Sequence, residues 1–333
     1  MATLYVVEQG AGIHKEGRRV VVRKGREVIA SVPSFQIDQV VLFGNVAVST
    51  QALAHFLQNR IDTILLSSTG RYRGRLVGPD TKNIVLRRIQ FKKYEDEHFR
   101  VGFVRSIVAG KIHNMRTLLL RAARRRAVDI GELSHRLRLL KEQVETASSV
   151  DMLRGIEGAA TSVYFRGFKQ FLDSRFSFEK RERRPPKDPV NALLSFGYTL
   201  LGNTIESMVN LVGLDPYLGF FHLVDYGRPS LVLDLMEEFR PVIVDSLVLN
   251  VVNHGMISPS DFEHRDGGVY LAGEGRKKFI RQYQERIAIS VSYHVSEGVV
   301  QKVDYRRCFE LQARKFVQFL KGEIEAYPPF LIR

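Results

Sequence analysis

A change of hydrophobic period near residue 83 limits what this chain can fold into more than any other feature of it. Upstream, "TLYVVE" (3–8), "RRVVVR" (18–23), "EVIASV" (27–32) and "FQIDQVVLFG" (35–44) are short β-branched runs that read as strands, with Lys24-Gly25 as a hairpin turn. "TQALAHFLQNR" (50–60) has helical spacing behind a Ser49 or Thr50 cap, and "DTILLSS" (62–68) returns to strand. "STGRYRGRLVGPDTKN" (68–83) is rich in glycine, arginine and turn formers and reads as a linker. From residue 84 the period is helical: one or two long helices, then others near 130–147, 150–173, 189–212, 230–253 and 306–323. The expected architecture is α+β. A small β-rich domain with its linker occupies 1–82, and a large all-α domain occupies 83–333.

One helical stretch is odd. "LVLDLMEEFRP" (231–241) is greasy, yet Asp234, Glu237 and Glu238 interrupt it. Extended through residue 253 on a wheel of about 100° per residue, these acids and Asp245 form one narrow stripe of a single sign. Arg240 is the only charge on the apolar side. Taken alone, a solvated stripe is the more ordinary reading. The sharper one is that converging carboxylates repel one another unless a cation sits between them.

Charge bounds the partner. Fifty Lys and Arg against 36 Asp and Glu leave a net +14, which favours a polyanion: nucleic acid first, anionic membrane second. The basic residues cluster as Arg121, Arg124, Arg125 and Arg126, as Arg71, Arg73 and Arg75, and as Lys180, Arg181, Arg183, Arg184 and Lys187. Together they point to phosphate contacts. No apolar run reaches the roughly 20 residues of a membrane span, and no secretory signal is visible at the N-terminus. A lone Cys308 excludes an intrachain disulfide and a cysteine-rich zinc site, and fits the cytoplasm. Dinucleotide, P-loop and H-E-x-x-H patterns are missing.

Two further residues join the acids. Glu157 stands in "RGIEGAATSVYF" (154–165) between Gly155 and Gly158, where small neighbours either serve tight helix packing or let a phosphate chain come close. His222 ends "GLDPYLGFFH" (213–222), and a turn at "DYGRP" (225–229) would fold it back towards Asp234 and Glu237. Carboxylate oxygens with one imidazole suit Mg²⁺ or Mn²⁺, the nitrogen favouring Mn²⁺. In a basic protein such a site implies metal-assisted phosphodiester chemistry.

"GIEGAATSVYF", "PVNALLSFGYTLL", "GLDPYLGFFH" and "LVLDLMEEFRPVIVD" follow one another in an order and spacing that resembles the CRISPR-associated adaptation integrase, the universal spacer-acquisition endonuclease. "GGVYLAGEGRKKFIRQYQERI" (267–287) is similar to that family's C-terminal region. The resemblance implies a β-domain that forms homodimers, a helical catalytic domain and a small ferredoxin-like partner protein. It implies insertion of short double-stranded DNA fragments into a repeat array, each 3′-hydroxyl attacking a phosphodiester. It places the metal ligands at Glu157, His222 and Glu237, with Asp234 as an accompanying catalytic acid and glutamate at 237 where the family elsewhere has aspartate. Glu238 falls outside the pattern and is expected to be dispensable. Loss of one acid is expected to relieve repulsion and raise stability. On the residues alone, a non-catalytic nucleic-acid scaffold or a metal nuclease acting on branched DNA or RNA would also serve.

Overall fold

The structure is a computed structural model that describes residues 2–70, 72–76, 78, 83–183, 185–296 and 299–332. It divides into one unit of Met1–Thr81 with Leu271–Ile280, and a second of Lys82–Tyr270 with Arg281–Arg333.

The first unit is built from eight strands, β1 (Ala2–Val6), β2 (Ala11–Glu16), β3 (Arg19–Lys24), β4 (Glu27–Pro33), β5 (Ile37–Phe43), β6 (Val46–Val48), β7 (Asp62–Leu66) and β8 (Tyr72–Leu76), with helix α1 (Thr50–Gln58) after β6. They form two four-stranded sheets of order β1-β5-β7-β8 and β4-β3-β2-β6. Val6, Ile13, Val20, Val22, Val40, Leu42, Phe56 and Ile61 make their common core. Ser49 caps α1 through the Ala52 N–H at 3.3 Å. The strands read from β-branched runs are present. Three were missed: β2 within a glycine-bearing stretch, the three-residue β6, and β8 within the expected linker. Arg75 on β8 is not a free phosphate contact, since its Nε lies 2.7 Å from Asp62 of β7. Arg71 lies outside the described residues.

The second unit is mainly helical: α2 (Ile84–Glu95), α3 (Glu97–Arg126), α4 (Gly131–Thr146), α5 (Val150–Lys169), α6 (Pro189–Leu211), α7 (Ser230–Met236), α8 (Ser246–Asn253), the part of α9 (Gly273–Ile287) from Arg281 on, whose earlier part belongs to the first unit, and α10 (Tyr305–Lys321). Two ribbons not read from the sequence interrupt it, β9 (Phe262–Arg265) with β10 (Gly268–Leu271), and β11 (Ser290–Ser296) with β12 (Val299–Asp304). Asp96, Ser149, Asp188 and Asp304 cap α3, α5, α6 and α10, each accepting a backbone N–H three residues on. The 30-residue α3 is buried along much of its length. Against it Phe99 stacks on Phe319 at 4.4 Å, and Phe103 meets Phe316 at 4.5 Å and Phe220 at 5.7 Å. Phe220 stands two residues before His222, so the aromatic core holds down the loop that carries the histidine. No helix among the described residues is long and apolar enough to cross a membrane.

The stretch read as one helix over 230–253 is not one. After α7 the chain turns through 237–239, winds as a π-helix over Arg240–Asp245, and only then resumes as α8. Pro241 is the cause, because it has no N–H to give the α-helical ladder. Its missing N–H leaves the Glu237 carbonyl without an α-helical partner, and further along the Val242 carbonyl accepts Ser246 Oγ at 2.5 Å and Arg286 Nη2 at 2.6 Å. The uniform wheel therefore fails after Met236, and the acidic stripe it drew does not exist as a surface. Asp234, Glu237, Glu238 and Asp245 are all buried, at 0, 3, 0 and 1% exposure. Solvation cannot explain them.

Candidate metal centre

Asp234 is fully occupied. Its Oδ2 accepts the N–H groups of Phe220 and Phe221 at 2.6 and 3.0 Å, and its Oδ1 accepts the His222 N–H at 2.9 Å. The same Oδ1 lies 2.8 Å from His222 Nδ1. A carboxylate here can only accept, so Nδ1 carries the hydrogen and Nε2 is the atom turned outward. Gly219 lets this loop come close, since a Cβ there would meet Ser230 backbone at 2.5 Å. Ser230 Oγ donates to the Leu223 carbonyl at 2.8 Å, and Gly227, at φ +69°, completes the expected turn. Asp234 thus positions the histidine and has no free lone pair left to offer an ion.

His222 Nε2 lies 3.5 Å from Glu237 Oε1. Glu157 comes in from α5, its Oε1 accepting Thr161 Oγ1 at 2.8 Å one turn on. Gly155 and Gly158 face open space, so they do not serve tight helix packing. Arg154 was not anticipated. It sits one turn before Glu157 and donates from Nη2 to the Phe221 carbonyl at 2.7 Å, fixing α5 against the histidine loop. Only its helical spacing from Glu157 could have signalled it.

Between Glu157 and Glu237 stands the ammonium of Lys111, in ion-pair contact with both. Sequence reasoning missed this residue, which lies in a helix whose other buried positions are mostly apolar. Arg240 donates from Nε to Glu237 Oε1 at 3.0 Å and lies over the Tyr198 ring at 4.7 Å, which accounts for the lone charge on the apolar side. Burial alone would raise the Glu237 pKa, but Arg240, Lys111 and His222 outweigh it and hold the carboxyl well below its usual range. Burial likewise opposes the charge of Glu157, yet Lys111 keeps that carboxyl low. Burial opposes the charge of Lys111 too, and the two glutamates raise its pKa above the ordinary value.

The acids do not act as a group. Glu238 faces away from Glu237 and accepts Tyr327 Oη at 2.8 Å, Phe330 N–H at 2.5 Å and Gln312 Nε2 at 3.1 Å. Asn114 completes this strap, donating to the Glu238 and Phe330 carbonyls at 2.7 and 2.8 Å. Glu238 is therefore a buried structural carboxyl, not a dispensable neighbour. Asp245 accepts Tyr198 Oη at 2.6 Å and Tyr164 Oη at 2.8 Å.

Burial raises the Asp245 pKa to about 6 from an ordinary 3.8, the two tyrosine hydroxyls only partly opposing it. Between those values the folded chain holds a proton that the unfolded chain has released, so stability falls as pH rises through that window and levels off above about 6. The drop is on the order of 3 kcal/mol. Asp245→Asn should lose this slope, a result read by comparing urea unfolding of both proteins at pH 4.5, 5.5 and 7. Parallel curves would disprove it.

As placed, no three His, Cys, Asp or Glu side chains among the described residues hold a metal-binding arrangement, because the cation between the glutamates is Lys111. The donor set itself fits a divalent ion. Glu157 and Glu237 meet at one ammonium, and the outward imidazole nitrogen of His222 lies 3.5 Å from Glu237 Oε1, so two carboxylates and one imidazole are the donors on offer. Beside them a cavity is lined by Lys111, Thr161, Arg181, Arg183, Tyr198 and Arg240. Arg181, expected on the surface, turns inward and donates to Asn191 Oδ1 at 2.8 Å, while Arg184 lies outside the described residues. Arg121, Arg124, Arg125 and Arg126 form an exposed basic face in the last turns of α3, and Lys180, Arg183 and Lys187 are exposed as well.

The family model described as CRISPR associated protein Cas1 matches residues 4–285. A CRISPR-associated endonuclease Cas1 of Thermus thermophilus is 38% identical over 335 residues, covering 100% of this chain and 98% of that protein. The structure of a Cas1 protein from Thermotoga maritima is 27% identical, with a TM-score of 0.82 over 98% of this chain and 99% of that one. A chain in a Cas6-RT-Cas1–Cas2 complex is 26% identical, with a TM-score of 0.83 over 98% of this chain and 36% of that one.

Proposed function

The chain belongs to the CRISPR-associated Cas1 family, and from that membership we infer a DNA endonuclease and integrase that inserts short DNA fragments into a CRISPR repeat array. The observation that supports the site assignment is that Glu157 and Glu237 share one buried ammonium while His222 Nε2 lies 3.5 Å from Glu237 Oε1. These three are the ligands of a divalent ion, Mn²⁺ or Mg²⁺. When bound, the ion supplies charge stabilisation at the scissile phosphate. The chain does the rest. Asp234 fixes the His222 tautomer and Arg154 fixes the distance between α5 and the histidine loop. Arg240, held on Tyr198, puts a further positive charge beside the acids, where a phosphate oxygen carries its negative charge.

The β-rich unit, residues 1–82, forms the homodimer in this reading, and the helical residues 83–333 are catalytic. The partner is a small ferredoxin-like Cas2, and the protein acts on double-stranded DNA in the cytoplasm. Strand transfer of a labelled duplex into repeat DNA, with Cas2 present, tests the assignment. Mn²⁺ or Mg²⁺ should support it, Zn²⁺ should not, and full activity after chelation would refute it.

Affinity has a different source. Arg121, Arg124 and Arg125 are exposed, and phosphate contacts from them release counterions. Their joint replacement by Ala should reduce the slope of log K against log salt by up to about 2.7, at about 0.9 for each phosphate no longer neutralised. An unchanged slope would remove this face from the DNA path.

A further inference from the structure

We propose that Lys111 is the built-in counter-ion of the metal-free site, and that a divalent ion binds by exchange with it. The inference rests on the reading of Glu157, His222 and Glu237 as ligands.

Lys111 stands near the middle of α3, 5% exposed, with its ammonium against Glu157 Oε1 and Glu237 Oε2. Arg240 is the other cation on Glu237. Two carboxylates and two cations leave this buried cluster neutral without any metal. Adding a divalent ion to it unchanged would set four positive charges against two negative ones in a place with little water. The same carboxylate oxygens cannot meet both cations, because an ion coordinated at about 2.0–2.2 Å needs the space the ammonium fills. One cation must leave.

Arg240 is fixed by its Nε hydrogen bond at 3.0 Å and by the Tyr198 ring at 4.7 Å. Lys111 has a flexible four-carbon stem. It already forms part of the wall of the adjoining cavity, with Thr161, Tyr198 and Asp245. Arg181, Arg183 and Arg240 line the same cavity, so the Asp245 carboxylate is the group in that wall towards which the displaced ammonium would turn.

A purely structural ion pair would look different. A buried pair is stable when hydrogen bonds satisfy its remaining lone pairs. Glu238 shows what a sealed carboxyl looks like, with neutral donors on both oxygens. Glu237, the next residue, is held by charged side chains instead, the Lys111 ammonium on Oε2 and Arg240 Nε on Oε1. One glutamate is sealed and its neighbour is held ready for exchange. The lysine lets the site fold without metal, and it lowers metal affinity by the work of displacing it.

The test uses the full chain without DNA. Mn²⁺ is titrated calorimetrically into wild type and Lys111→Met, and both are melted in chelator. Lys111→Met should bind Mn²⁺ about tenfold tighter or more, melt several degrees lower in chelator, and recover on adding Mn²⁺. Equal or weaker binding by Lys111→Met overturns the exchange. Failure of both proteins to bind Mn²⁺ instead overturns the ligand assignment beneath it. Should Lys111→Met not fold, wild type labelled with ¹³Cε-lysine decides, the Lys111 signal being assigned through Lys111→Arg. That signal should shift as Mg²⁺ saturates the site, and a signal that stays in place overturns the proposal.

Discussion

Alanine at Glu157, His222 or Glu237 should each reduce strand transfer on the order of 10³-fold or more, while duplex affinity stays within about twofold. Affinity comes from many dispersed basic contacts, whereas chemistry depends on one ion held by few ligands. Each single variant should be nearly as inactive as the triple, because groups that act as a unit are not additive. A strand-transfer assay paired with filter binding reads both quantities. Stability should move opposite to the simple expectation from like-charge repulsion. The acids are neutralised by Lys111 and Arg240, so Glu237→Ala leaves buried cations short of a partner and should destabilise by about 3–5 kcal/mol. Glu237→Gln is the better activity variant for that reason. Glu238→Ala is not a silent control: it should unfold earlier than wild type, since it strips the acceptors from Tyr327, Phe330 and Gln312. Full activity in all three ligand variants would mean the site lies elsewhere.

Asp234→Ala should be the most damaging change that touches no ligand oxygen. It leaves three buried backbone N–H groups and one imidazole N–H without an acceptor. An unsatisfied buried donor costs about 1–3 kcal/mol, and partial collapse of the loop onto water lowers the sum to about 3–5 kcal/mol. Strand transfer should fall by about a hundredfold even where the protein is still folded, because His222 loses its orienting hydrogen bond. Urea unfolding in chelator measures the first effect and turnover at low temperature the second. A wild-type unfolding midpoint for Asp234→Ala would show that the loop is held by something else.

Most of the architecture was legible because hydrophobic period reports it directly. Strands such as β3 and β5 are runs of valine and isoleucine, and helices such as α6 announce themselves with Asp188, Pro189 and Gly213 at their ends. β8 was not legible, since Gly74 between Arg73 and Arg75 looks like a linker and only pairing with β7 makes it a strand. The β11–β12 ribbon carries a signal that sequence reasoning missed, since Val291, Tyr293 and Val295 alternate with polar residues, although of these only Tyr293 is buried. At the site, residue types pointed to the acids and the histidine, but not to their division of labour. A single wheel could not separate Glu237 from Glu238, because the α-helix ends at Met236 and the Glu237 and Phe239 N–H groups bond three residues back, a tighter winding than the wheel assumes. Lys111 was invisible for another reason. A lysine within a long helix ordinarily reaches for solvent, and its burial depends on two acids more than 40 residues away.

The adjacency of Glu237 and Glu238 makes one peptide plane a lever. On one side hangs the ion position; on the other, the segment Tyr327–Ile332, moored by Glu238 and Asn114. Pulling on that segment tilts the plane and therefore the carboxylate across from it. Residues some 90 positions downstream are thus tied, one residue away, to the proposed ion position like a guy-line, and loosening Phe330 from its mooring is expected to change Mn²⁺ affinity at a site it never touches.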